Sequence, residues 1–208
     1  MKIKIIADSS CDMFSLEGVE FASVPLTVAT EEKSFLDNES LNIPEMLRYM
    51  ENYEGRSFTA CPNVAAWLQA YQGADELYVI TLSSNISGTY GAAVSAAALY
   101  KEECPHAKIQ VFDTLSAGPE VRMLAQKIAA EVKKGKPFDE ICQEAEQYTK
   151  NTRIFFCLQS FHNFAQNGRV NKTIAKLGGM LGIRIMATAS DQGTIAITDK
   201  CRGEKGAQ

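Results

Sequence analysis

Short apolar blocks alternate with longer amphipathic stretches from the amino terminus to about residue 150. Ile3-Lys-Ile-Ile-Ala7 alternates and then turns apolar, the pattern of a first strand. Phe21 to Ala29 reads as a second strand, with Pro25 marking an edge or a break. Residues 31–42 are polar and read as loop. Ile43 to Met50 has a helical pattern, with Pro44 in its first turn and Asn42 as its cap. Between Ser57 and Tyr71, Pro62 suits a helix N1 position, so Thr59 falls just ahead of a helix start. Its hydroxyl is there either to cap the helix or to touch a ligand, and the local pattern leaves both open. Leu77 to Leu82 is a continuous apolar run rich in β-branched and aromatic residues, which predicts a buried, central, parallel strand. The alanine-dense run Gly91 to Tyr100 predicts a helix. Lys108 to Ser116 gives another strand, Val121 to Lys134 an amphipathic helix closing at Gly135, and Phe138 to Thr149 a further helix.

Strand and helix alternating in this way argue for a parallel sheet covered on both faces, a Rossmann-like α/β/α domain over residues 1–150. Trp67 and Tyr71, four apart on a helix, have core spacing. Met46 and Met50 share it and face either the core or a cavity wall, the core being the simpler expectation. From Asn151 the texture changes. Arg153 to Leu158 reads as a strand, Ser160 to Gln166 as a short helix stopping at Asn167-Gly168, and Asn171 to Leu181 as another helix. Ile183 to Ala189 and Thr194 to Thr198 flank Asp191-Gln-Gly193, which predicts an antiparallel hairpin. Residues 151–208 therefore read as a second, smaller mixed-sheet α/β domain, incomplete because its polar end supplies no closing strand or helix.

The candidate chemistry sits where strands end. Ser83, Ser84, Ser87, Gly88 and Thr89 crowd four hydroxyls and a glycine between the Leu77–Leu82 strand and the following helix. A helix N-terminus presents unpaired N–H groups and partial positive charge, and glycine lets a ligand approach the backbone. Such a turn suits a carboxylate or a phosphate at the carboxyl edge of an open α/β sheet. The plainer alternative is capping, for which one hydroxyl would suffice. Ser9 and Ser10 after the first strand, and Asp113, Thr114 and Ser116 after another, form similar turns that can converge on one crevice. Ser9, Ser10, Ser84, Ser87 and Gly88 are thus candidate ligand contacts.

Composition narrows the function. With 22% charged residues and a net charge of −4, the chain of 208 residues has no electrostatic footprint for nucleic acid. The first residues are too polar for a secretory signal, and no apolar run approaches a membrane span. Six widely spaced cysteines and two histidines offer no metal-ligand cluster, so the cysteines read as reduced, mostly packing residues of a cytoplasmic protein. An enzyme with Ser84 or Ser87 as nucleophile would need a G-x-S-x-G elbow or a histidine partner. The elbow is absent, and His106 and His162 read as structural, so no catalytic activity is expected. A sugar-phosphate or other phosphate-binding domain is the main alternative, although the turn lacks the P-loop lysine and the dinucleotide G-x-G-x-x-G.

Asp8-Ser9-Ser10, Pro25-Leu26, Thr59-x-x-Pro62, Leu82-Ser-Ser-x-x-Ser-Gly-Thr-Tyr90, Asp113, Gly168-Arg169 and Lys200-x-Arg-Gly203 occur in this order. Together they resemble the DegV family of bacterial fatty-acid-binding proteins across essentially the whole chain. The resemblance implies two α/β domains with a long-chain fatty acid in an apolar tunnel between them and no other cofactor. It implies a carboxylate held by Thr59 and Ser87, and presentation of the lipid to an ATP-dependent fatty-acid kinase. Arg169 and Arg202 would dock that kinase subunit, and membrane contact would be transient at most. Ala60-Cys61 stand where the family has Ser-Gln before the proline. The family also continues past the point matching Gln208, to a histidine that helps hold the head group. The chain therefore reads as a truncated or divergent member, with the tunnel open on one side.

Overall fold

The computed structural model describes residues 1–158, 160–170 and 183–202. The buried apolar runs pair first: β1 (Ile3–Asp8), β2 (Glu20–Val24), β6 (Glu76–Thr81) and β7 (Lys108–Asp113) form a parallel four-stranded sheet in the order β2-β1-β6-β7. Every residue of β6 is buried, as its unbroken apolar run requires for a central strand. Glu76 heads that strand at 4% exposure, and its carboxylate meets Lys108 Nζ at 3.3 Å on the neighbouring strand.

Alternation along the strands sends side chains to two cores. Ile5, Ala7, Tyr78 and Ile80 pack beneath α4 (Pro119–Lys133) and α5 (Phe138–Asn151). Ile6, Leu77 and Val79 pack beneath α2 (Val64–Tyr71) and α3 (Thr89–Glu103). Small residues let α3 lie close: Ala93, Ala96 and Ala97 are buried, and Trp67 and Tyr71 fill the space opposite as expected. The buried phenols of Tyr71 and Tyr100 donate to the Ala93 and Ala74 carbonyls at 2.9 and 3.1 Å.

A second, antiparallel sheet flanks the carboxyl edge, with β3 (Thr27–Ala29) between β4 (Ser34–Leu36) and β5 (Phe58–Ala60). The Phe21–Ala29 block is therefore two strands in different sheets, separated at Pro25-Leu26, because proline supplies no N–H for a continuous ladder. Residues 31–42 are not all loop, since β4 pairs with β3 from Thr27↔Leu36 to Ala29↔Ser34. α1 (Ile43–Glu51) begins as expected, Asn42 Oδ1 accepting the Glu45 N–H at 3.2 Å. It buries no residue completely, so Met46 and Met50 are not core residues. Pro62 lies outside α2 rather than at N1, because Asn63 is the cap, its Oδ1 accepting the Ala66 N–H at 2.9 Å.

The carboxyl-terminal part forms a third sheet, order β10-β9-β8, from β8 (Phe155–Leu158), β9 (Ile183–Ala189) and β10 (Ile195–Arg202). Its strands are antiparallel, as the short turn at Asp191 predicts. The short helix α6 (His162–Gln166) places Phe161 against Ile185 and Ala187 in a small third core. The helix expected over Asn171–Leu181 and the glycine of the Lys200-x-Arg-Gly203 motif lie outside the described residues.

Candidate functional site

The parallel strands β1, β6 and β7 all end at one edge, and their polar turns knit together there. Asp8 Oδ2 accepts the Leu82 N–H at 2.7 Å, and Asp113 Oδ1 accepts the N–H groups of Ser84 and Leu115 at 3.2 and 3.0 Å. Burial pushes the Asp8 carboxyl up to about 6, although hydrogen bonds from Ser10 and Leu82 pull the other way.

Beside this edge lies a cavity of about 650 Å³. Leu26, Val28, Leu82, Ile86 and Phe164 give it apolar walls, and Met50 of α1 closes part of it. Thr59, Ser87, Gly88, Asn167 and Arg169 supply its polar features. Thr59 sits at the centre of β5 opposite Val28, and its hydroxyl makes no side-chain hydrogen bond among the described residues. Asn63 caps α2, so capping is not its role. Ser87 Oγ lies 2.7 Å from Thr89 Oγ1 and accepts the Thr89 N–H at 3.3 Å. Gly88 is the N-cap of α3 and, as glycine, offers that helix no side-chain cap of its own.

The other candidates fall elsewhere. Ser9 Oγ donates to Asp37 Oδ2 at 2.6 Å and accepts the Leu26 N–H at 3.0 Å, so it supports the cavity wall without lining it. Ser10 is bound to Asp8, and Ser84 is exposed outside the cavity. Of the two arginines, Arg169 lies at the cavity, its Nε donating to the Ile86 carbonyl at 3.0 Å. Arg202 ends β10 as an exposed residue away from it.

Sequence reasoning overlooked several lining residues. Cys61 departs from the packing expected of most of the cysteines: it is exposed and on the cavity wall, while Cys11 and Cys142 are buried and all six thiols are free. The signal was its position between Thr59 and Pro62. The sequence marks Asn167 only as a helix stop, but its amide donates to the Ser57 carbonyl at 3.0 Å and ties the end of α6 to the residue that leads into β5. Phe164, one turn earlier in chain order, lines the same cavity, as does Phe58 of β5.

A three-layer α/β protein with hydroxyls set in an apolar cavity at its carboxyl edge is the class so defined. A family model described as "uncharacterised protein, DegV family" matches residues 2–208, and the chain belongs to that family. A DegV domain-containing protein of Streptococcus gordonii is 39% identical over 209 aligned residues, covering 99% of this chain and 74% of the relative. A DegV family protein from Eubacterium eligens, solved loaded with heptadecanoic acid, superposes with a TM-score of 0.95 at 43% identity, covering 99% of this chain and 74% of its own. The Fatty Acid Kinase (Fak) B3 protein of Streptococcus pneumoniae, solved loaded with linoleic acid, gives 0.96 at 36% identity, with 99% and 75% covered. Among the described residues, no helix is long and apolar enough to cross a membrane.

Proposed function

We propose that the chain binds a long-chain fatty acid non-covalently and carries it to an ATP-dependent fatty-acid kinase in the cytoplasm, without catalysing a reaction itself. The observation that carries this reading is that Thr59 and Ser87 line the same cavity of about 650 Å³ as Leu26, Val28, Leu82, Ile86 and Phe164. The fatty acids bound by the E. eligens and S. pneumoniae proteins support it.

The chemistry needs no fixed cation in contact with the head group. Hydroxyls and backbone N–H groups at a helix start can hold a single carboxylate, and the Arg169 guanidinium at the cavity adds attraction. The tail supplies affinity: a dozen methylenes give on the order of 10 kcal/mol gross, before the costs of association. Residues 1–150 and 151–208 act as two units flanking the lipid in this reading, with Arg169 and the exposed Arg202 meeting the kinase. Neither His106 nor His162 is among the residues that line the cavity.

The test is native mass spectrometry of the purified protein followed by lipid extraction, alongside a Thr59→Ala/Ser87→Ala double variant. A fatty acid in the wild type that is largely lost from the variant is the expected result. Retention in the variant would keep the carrier and remove the head-group assignment. Displacement of a bound probe by inorganic phosphate, with no dependence on acyl length, would replace the carrier with a phosphate-binding domain.

A further inference from the structure

The four hydroxyls of the turn after β6 do different things, and Ser83 faces away from the cavity. Its side chain is fully buried. Ser83 Oγ donates to the Gly193 carbonyl at 2.7 Å, 110 positions away, and accepts the Asn85 N–H at 3.2 Å. Asn85 Nδ2 donates to the adjoining Gln192 carbonyl at 2.7 Å. Gly193 has φ +71°, and a Cβ there would stand 2.2 Å from Ser83 Oγ and 2.9 Å from Leu115 Cα. Glycine is thus required at the hairpin tip both by backbone and by space.

We propose that this contact is a latch in which Ser83 and Asn85 are positioning residues for the head-group turn. The Ser83 carbonyl accepts the N–H groups of Ile86 and Ser87 at 3.2 and 3.1 Å, so the residue that grips the hairpin also anchors the cavity-lining pair. Arg169, from the same carboxyl-terminal part, fastens to the Ile86 carbonyl between them. Seating of the β9–β10 hairpin is thereby transmitted to the Ser87 hydroxyl through two short links. A local shift at the tip re-aims Ser87 without disturbing the β1–β6 core. The effect on ligand rests on the fatty-acid reading; the effect on the turn does not.

Two measurements on Ser83→Ala, Asn85→Ala and Gly193→Ala test it. Amide hydrogen exchange of the delipidated protein is expected to accelerate over residues 84–89 in all three, with β1 and β6 unchanged. Unaltered exchange over 84–89 overturns the latch whether or not lipid binds. Affinities for oleate and methyl oleate, read by displacement of a fluorescent fatty acid, form the second arm. The expected result is about a tenfold loss for oleate and little for the ester, because one hydrogen bond to the carboxylate is misdirected. Equal losses for both ligands indicate general loosening and overturn the positioning role. Wild-type protein that binds neither ligand removes the carrier reading, and exchange alone then decides the latch. Asn85 is exposed, so its variant supplies the answer should Ser83→Ala fail to fold.

Discussion

The Asp8 carboxylate accepts the Leu82 N–H at 2.7 Å, a buried acid that ties together the carboxyl ends of two adjacent parallel strands. Burial raises its pKa to about 6 from an ordinary value of 3.8. The native state therefore keeps a proton that the unfolded chain has released. Its contribution to stability is full below about pH 4 and is lost as pH rises through about 6. The whole effect amounts to about 3 kcal/mol at most. Glu131 works in the opposite sense, because Lys127, Lys134 and Lys136 hold its carboxyl down at about 2. Its contribution is present above the ordinary value of 4.5 and fades as pH falls through about 2. Urea unfolding from pH 4 to 7 is expected to show wild-type stability declining relative to Asp8→Asn. Parallel curves for the two proteins would assign the titration to another group.

Thr59 and Ser87 differ in what they do for the empty protein. The Thr59 hydroxyl has no side-chain partner among the described residues, whereas Ser87 is hydrogen-bonded to Thr89 at 2.7 Å. Thr59→Val is therefore expected to leave the melting temperature of the delipidated protein nearly unchanged, and Ser87→Ala to cost about 1 kcal/mol. Each is expected to weaken oleate binding by about tenfold to a hundredfold, the range for a hydrogen bond to a charged group. Thermal melts beside dye-displacement titrations check both numbers. A Thr59→Val protein with undiminished affinity would move the carboxylate away from β5.

Much of this architecture could be read in the chain because its causes are local. The Leu77–Leu82 run announces a central strand through its own apolarity, and Asn42-Ile-Pro44 announces a helix through its own capping chemistry. β4 and β5 could not be read in this way. Ser34-Phe-Leu36 and Phe58-Thr-Ala60 are three-residue strands whose conformation comes from pairing with β3. The turn hydroxyls show the same limit. Ser83, Ser84, Ser87 and Thr89 are chemically alike along the sequence, and only the distant Gly193 carbonyl draws Ser83 away from the cavity side. The resemblance singled out Ser87, which does line the cavity, but the turn pattern by itself could not separate it from Ser84.

Gly88 is small for a reason other than backbone conformation. Its φ is −76°, open to any residue, but a Cβ added there would stand 3.1 Å from Cys61 Sγ. That is tighter than ordinary contact, and the exposed Cys61 side chain has room to give. Gly88→Ala is expected to fold normally and to weaken oleate binding several-fold by narrowing the polar end of the cavity. Cys61→Ala in the same chain is expected to restore most of the loss, giving a clear coupling in a double-mutant cycle. Titration of the four proteins with oleate measures it, and strict additivity would dissociate Cys61 from the defect.

Trp67, the only tryptophan, is completely buried between α2 and the sheet, yet its indole N–H has no acceptor among the described residues. Two consequences of removing it therefore oppose each other. Trp67→Ala opens a cavity in a close-packed layer and is expected to cost about 3–5 kcal/mol. Trp67→Phe removes the unpaired donor together with part of the ring, and relief of that buried polar group offsets much of the lost contact. Its expected cost is below about 1.5 kcal/mol, despite the large change in side-chain volume. Urea denaturation followed by circular dichroism compares the two variants without relying on the fluorophore they lack. A phenylalanine variant as unstable as the alanine one would mean that the indole N–H contributes a hydrogen bond in solution, and the packing account of this layer would have to be rebuilt around it.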